Sequence, residues 1–183
     1  MNKTCMTVGL IFSCLTLFTS SKAEARKIPW KAELSGGYIT IQSDTNHDGQ
    51  KGSTNNGGFK STLGSGTFQG VDEFASSGTG TCPNGNPGFI FTSLPGTGHG
   101  FYRFNNTGDL LFTEFSATTC FDPLTTIQFY SGSETYTGGT GQFTGAMGAT
   151  TSSGTAKTLF DDGAGNFFGE LSGTIEGTII LMK

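Results

Sequence analysis

Phe167-Phe168-Gly169-Glu170-Leu171-Ser172-Gly173-Thr174-Ile175-Glu176-Gly177-Thr178-Ile179 decides the fold class. Taken at a period of two, Phe167, Gly169, Leu171, Gly173, Ile175, Gly177 and Ile179 share one face. Phe168, Glu170, Ser172, Thr174, Glu176 and Thr178 share the other. Successive side chains of an extended chain point to opposite sides, so this is a long strand with one apolar and one polar face. Large residues alternate with glycine along the apolar face. A strongly coiled sheet needs that pattern, because glycine relieves crowding where a strand bends and its large neighbours fill the gap.

Outward from this strand the alternation repeats. Ile127, Phe129, Ser131 and Ser133 alternate with Gln128, Tyr130, Gly132 and Glu134, and Leu111, Thr113, Phe115 and Ala117 with Phe112, Glu114, Ser116 and Thr118. Shorter candidate strands are Tyr38–Gln42, Lys60–Phe74, Phe89–Leu94, Gly98–Phe104 and Phe143–Thr158. Between them lie turn signals: Asn84-Gly85, Pro95-Gly96, Asn106 to Asp109, Gly138 to Gly141 and Asp161 to Asn166. No window from Arg26 onward keeps apolar residues at i, i+3, i+4 and i+7, so no long helix is expected. About eight strands joined by short turns imply an all-β fold with antiparallel neighbours, a single barrel or a β-sandwich. The barrel is preferred because closure leaves no long apolar edge to aggregate.

The first residues belong to a different kind of segment. Asn2 and Lys3 precede an apolar run from Met6 to Phe18, then polar residues, then Ala23-Glu24-Ala25. That order fits a secretory signal peptide over residues 1–25, leaving a mature domain over residues 26–183. The run is shorter than the roughly 20 residues a membrane helix needs. Cys5 and Cys14 would leave with this segment, and Cys82 and Cys120 remain. Two cysteines in an exported chain are expected to pair. Zinc ligation is the weaker alternative, since no His or third Cys stands at metal-ligand spacing.

Charge is sparse, with 10 Lys and Arg against 14 Asp and Glu. With no basic run there is no nucleic-acid footprint, and no attraction to anionic membranes. Thirty glycines suggest disorder, but seventeen phenylalanines argue for a packed interior, because disordered chains are poor in aromatics.

Several phrases carry a resemblance. They are Gly80-Thr81-Cys82-Pro83-Asn84-Gly85, Asp109-Leu110-Leu111-Phe112, Thr119-Cys120-Phe121-Asp122-Pro123, Thr137 to Ala146, and Gly169 to Ile175. In that order, from about Asp44 to Ile179, the chain resembles a group of uncharacterised exported bacterial proteins. That group is similar to the allene oxide cyclase and dirigent-type eight-stranded β-barrels. The most specific element is Gly-Gly-Thr-Gly-x-Phe-x-Gly-Ala at Gly138 to Ala146, a hairpin turn entering a strand of small residues. The resemblance implies the barrel. It brings no catalytic group, since the plant enzymes' active-site residues have no assigned positions here.

Candidate chemistry is thin. Asp44, Asn46 and Asp48, followed by Gly49, alternate oxygen-bearing side chains in a manner suited to Ca²⁺. The closing Glu of a twelve-residue loop is replaced by Asn55, so an ordinary polar turn stays open as the alternative. His99 and Arg103 share one face of a candidate strand and suggest an anion-binding pair at a barrel mouth. Glu170 and Glu176 lie about 20 Å apart along their strand, too far to share a substrate atom. With Glu114 and Glu134 they are read as solvated outer-face residues. The Gly-Thr-Gly triplets at Gly78, Gly96 and Gly139 are turns, because no helix follows to make a phosphate loop.

These observations point to an exported, non-catalytic barrel, structural or binding a small apolar ligand, with no assigned catalytic residue. An isomerase- or cyclase-like enzyme with an apolar barrel pocket is the first alternative, and a calcium-binding surface or matrix component the second. Whether phenylalanines fill the barrel or line a hollow is left open by alternation alone.

Overall fold

The computed structural model describes residues 24–41 and 51–182. The expected signal segment, apart from Glu24 and Ala25, lies outside these residues, as does the Asp44 to Asp48 loop. The described residues form nine strands: β1 (Ala25–Ile41), β2 (Lys51–Ser61), β3 (Gly64–Thr81), β4 (Pro87–Ser93), β5 (Gly98–Phe104), β6 (Leu110–Asp122), β7 (Ile127–Gly139), β8 (Met147–Asp161) and β9 (Phe167–Met182). One 3-10 turn, Gly141–Phe143, joins β7 to β8.

Every pairing is antiparallel, and the pairings close on themselves. β1 pairs with β2 on one side and along its whole length with β9 on the other, from Ala25↔Met182 to Thr40↔Phe167. β2 continues to β3, and β9 returns through β8 and β7 to β6. The ring is completed by two strands that share one position. β5 pairs with the first half of β3 (Gly66↔Phe104 to Val71↔His99), and β4 with the second half (Phe74↔Ser93 to Thr81↔Pro87). On their other side both pair with β6. Nine strands therefore make eight staves, and the interruption falls at Leu94-Pro95-Gly96-Thr97. Proline there cannot donate to the ladder, and Gly96 takes a positive φ of 76°. The expected all-β barrel of about eight strands is the observed architecture, with β2 paired to part of β1 and to part of β3 to close the ring.

Three element boundaries differ from the expectation. Lys60–Phe74 is not one strand, because the chain reverses at Thr62-Leu63, where Ser61 Oγ donates to Gly64 O at 2.7 Å. Most of β1 shows only weak alternation, yet β9 pairs with it from Ala25 to Thr40 and β2 adds a second neighbour from Ala32 to Ile41. Phe143 starts no strand. The Gly138-Gly139-Thr140-Gly141 turn instead folds its ring into the barrel end, stacked on Phe104 at a centroid distance of 4.5 Å. A side chain on Gly139 would strike Leu110 O and Phe143 Cβ, so this approach requires glycine.

The interior is divided along the barrel axis. At the end holding the 62–63, 105–109 and 140–146 connections, Trp30, Phe59, Phe104, Leu111, Phe143, Ile175 and Ile179 are buried and form a dense plug. Trp30 sits within 6.4 Å, centroid to centroid, of the rings of Phe59, Tyr102, Phe104 and Tyr136. The outer face of β9 carries Glu170, Ser172, Thr174, Glu176 and Thr178, all exposed, and Lys31 bridges to Glu176 at 3.2 Å. Between Glu170 and Thr178 this face is polar.

The opposite end is tied by the Cys82–Cys120 disulfide, with Cα atoms 5.5 Å apart. It runs from the residue after β3 to β6, over the start of β4. Gly88 lies beneath it, and a Cβ there would collide with Cys82 Sγ and come within 2.6 Å of Phe121 O. Close by, the buried Asp122 carboxylate accepts hydrogen bonds from Asn84 Nδ2 (2.7 Å), Asn86 Nδ2 (2.8 Å), Thr125 Oγ1 (2.7 Å) and the Leu124 amide (2.8 Å). These donors, Asn86 and Thr125 foremost, hold its pKa well below the usual carboxylate range. One side chain thus joins the 82–86 and 123–126 connections.

Candidate ligand-binding cavity

Above the plug the barrel is hollow. A cavity of about 240 Å³ opens toward the end that carries the disulfide. That volume is roughly eight waters' share of liquid. Its walls are largely aromatic, with Phe68, Phe74, Phe91, Phe115, Phe121 and Phe167 joined by Tyr38, Tyr102 and Tyr130. The phenylalanines therefore do both jobs left open by alternation: some fill the plug and others line a hollow. Rings near the mouth steady one another, Phe74 against Phe91 at 5.7 Å and Phe121 against Phe167 at 6.4 Å.

Parity builds the polar part of the site. On β7 the inward residues are Gln128, Tyr130, Gly132, Glu134 and Tyr136, and the outward ones are Ser131, Ser133, Thr135 and Thr137. Glu134 therefore lies inside, only 7% exposed, and the outer-face reading of this residue is wrong. It accepts a hydrogen bond from Tyr102 Oη at 2.9 Å. Thr113 and Tyr136 also donate to it, and Tyr136 Oη lies 3.1 Å from Thr150 Oγ1. Burial outweighs these bonds and pushes the Glu134 carboxyl up to about 7. Burial likewise pushes the Tyr130 hydroxyl up to about 12, and raises Tyr102 and Tyr136 as well.

A second acid comes from β3. Asp72 shares inward parity with Phe68, Gly70 and Phe74, and lines the cavity. Ser93 Oγ donates to its Oδ2 at 2.8 Å. Burial raises its pKa, against the hydrogen bonds from Ser93 and Ser53. Nearer the mouth, Gln128 Nε2 donates to Tyr38 Oη at 2.9 Å, and that hydroxyl lies 2.7 Å from Thr158 Oγ1. The cavity thus presents two carboxyls and several hydroxyls among aromatic walls. Among the described residues, no Lys, Arg or His lines it.

No protein-family model matches the chain, and no curated protein sequence matches it. Among solved structures, the pterocarpan synthase dirigent protein GePTS1 overlaps with 87% of this chain and 88% of its own. The identity is 11% and the TM-score 0.21, too low to bear on this site.

The residues singled out beforehand fall elsewhere. His99 and Arg103 have outward parity on β5 and are exposed, outside the cavity, with His99 Nε2 3.0 Å from Gly96 O. Their shared face is the barrel's outer surface, where His99 stands opposite Glu114 of β6. Glu170 and Glu176 are on the outer face of β9 as read. Asp44, Asn46 and Asp48 lie outside the described residues; the segment containing them joins the mouth ends of β1 and β2. Among the described residues no group of three or more His, Cys, Asp or Glu is placed to hold a metal ion, and no helix is long and apolar enough to cross a membrane.

Glu134 and Asp72 went unrecognised because a lone acid on an alternating strand reads as solvated. The available signal was their company. Tyr130, Gly132 and Tyr136 share the parity of Glu134, and Phe68, Gly70 and Phe74 that of Asp72. Both faces carry the large-residue and glycine mixture that marks the interior of β9.

Proposed function

We propose that this chain is an exported protein that holds a small, largely apolar molecule in its barrel cavity without transforming it. The observation that carries the reading is the half-filled barrel, packed solid around Trp30 and Phe104 and hollow between Phe68 and Phe167. Ligand sites are typically concave and apolar with a few placed polar groups, and this cavity has that composition. Export rests on the residue 1–25 segment and accords with the Cys82–Cys120 bond, since disulfides persist in oxidising compartments.

The test is native mass spectrometry of the protein purified from its secreting host, beside an Ala117→Phe variant. Ala117 lines the cavity, and phenylalanine there would occupy it. A co-purified apolar mass lost in the variant supports the reading. An empty wild-type protein that also takes up no apolar fluorophore sinks it.

A second reading, an isomerase- or cyclase-like activity, is favoured by Glu134. A carboxyl poised near 7 beside a tyrosine hydroxyl can both give and take a proton at neutral pH. Conversion of the co-purified molecule on incubation, abolished by Glu134→Gln, would establish it. Calcium at Asp44, Asn46 and Asp48 is a separate proposal, tested by calorimetric titration of the mature protein; no heat at millimolar Ca²⁺ excludes it.

A further inference from the structure

Resting on the ligand-binding reading, we propose that the cavity selects a protonated amine carried on an apolar, preferably aromatic, body. The argument begins with an imbalance. Glu134 and Asp72 both face the cavity, and their hydrogen-bond partners are neutral hydroxyls: Tyr102 for Glu134 and Ser93 for Asp72. Buried acids in folded proteins are ordinarily matched by a cation. Among the described residues no Lys, Arg or His lines the cavity, so the described wall carries no matching charge.

An ammonium group supplies what is missing. It would donate charge-assisted hydrogen bonds to a carboxylate, which are stronger than bonds between neutral groups. The surrounding rings add a second attraction, because a cation is drawn to the electron-rich face of an aromatic ring, more strongly when desolvated. Phe68 and Phe115 line the same cavity as Glu134 and leave room for an apolar body. A ligand bearing a carboxylate or phosphate would instead meet two acids with no cation among the described lining residues to offset them. The same geometry therefore attracts one charge sign and repels the other, which is how an interface gains specificity by exclusion.

Binding would be coupled to protonation. Glu134 is faced by Tyr102 from β5, Thr113 from β6, and Tyr130 and Tyr136 from its own strand, with Thr150 of β8 behind Tyr136 and Asp72 of β3 on the same cavity. The tyrosines titrate far above neutrality, and among these groups Glu134 is the one whose pKa is pushed up to about 7. An arriving ammonium favours the ionised form of Glu134, and amine affinity rises between pH 6 and pH 8 while that of a neutral ligand does not.

The experiment uses three probes of similar shape, 2-phenylethylamine, 2-phenylethanol and phenylacetate, titrated into the mature protein and followed by calorimetry and by emission of Trp30, the sole tryptophan. The amine is expected to bind at least tenfold more tightly than the alcohol at pH 8, with no measurable binding of the acid. Glu134→Gln and Asp72→Asn, checked for unchanged circular dichroism, are expected to shrink that preference severalfold. Equal affinity for amine and alcohol, binding of phenylacetate, or a preference surviving both substitutions overturns the amine assignment and leaves the ligand-binding reading standing. Failure of all three probes to bind counts against both.

Discussion

Glu134 shows how one side chain couples fold to pH. Its carboxyl ionises near 4.5 in an ordinary setting and at about 7 inside the barrel. Below 4.5 it is neutral in both folded and unfolded chains and costs nothing. From there to about 7 the unfolded chain gives up its proton more readily, so the fold loses stability as pH rises, by roughly 3 kcal/mol in all. Asp72 contributes in the same direction. Denaturant unfolding of wild type and Glu134→Gln at pH 4.5, 6 and 8 should show the two diverging by about this amount, with the variant the flatter; parallel curves would contradict the burial argument. Asp122 acts in the opposite sense. Its pKa is depressed by Asn86, Thr125, Asn84 and the Leu124 amide, so its contribution is present above the ordinary carboxylate range and is lost as pH falls through its lowered value. At pH 7, Asp122→Ala is expected to lower the melting temperature well beyond Asp162→Ala. Asp162 also accepts several hydrogen bonds, but within a single exposed turn.

At the scale of strands, spacing between neighbours sets what each position tolerates. Gly154 and Gly173 are register partners on β8 and β9, and the Tyr130 hydroxyl lies over both, donating to Ser172 O at 3.1 Å. A cavity-lining tyrosine is thus seated on two glycines. Gly88 does the same for the disulfide. In the mature domain, Gly88→Ala is expected to push Cys82 Sγ out of bonding position, giving two titratable thiols per domain by alkylation and mass spectrometry where wild type gives none. It should then also forfeit the bond's stabilisation, about 4 kcal/mol by the chain-entropy account for a separation of 38 residues. A fully oxidised variant of unchanged stability would show that β4 can shift aside.

Across the whole molecule the two barrel ends have different tasks. The plug supplies packing, and the open end gives up packing to keep a hollow. Phe104, fully buried, and Phe91, half-buried on the cavity wall, make a direct comparison. Phe104→Ala removes contacts with Trp30, Phe59 and Phe143 and is expected to cost about 3–5 kcal/mol. Phe91→Ala, beside existing empty space, should cost about 1–2 kcal/mol. Urea unfolding followed by Trp30 emission measures both, and equal costs would mean that the mouth is as tightly packed as the plug.

The sequence by itself determined the all-β class, most plainly through Phe167 to Ile179, because side-chain direction in a strand is a local property of the backbone. It also determined the pairing of Cys82 with Cys120, since few other partners existed for either. Tertiary structure decided what depends on distant strands meeting. The ring closes through β1, whose own pattern is weak, and one stave is assembled from β4 and β5. Which parity faces inward on β7, and hence that Glu134 is buried while His99 and Arg103 on β5 are exposed, follows only from register across the ring. A strand states that it has two faces. Only its neighbours state which of them looks into the cavity.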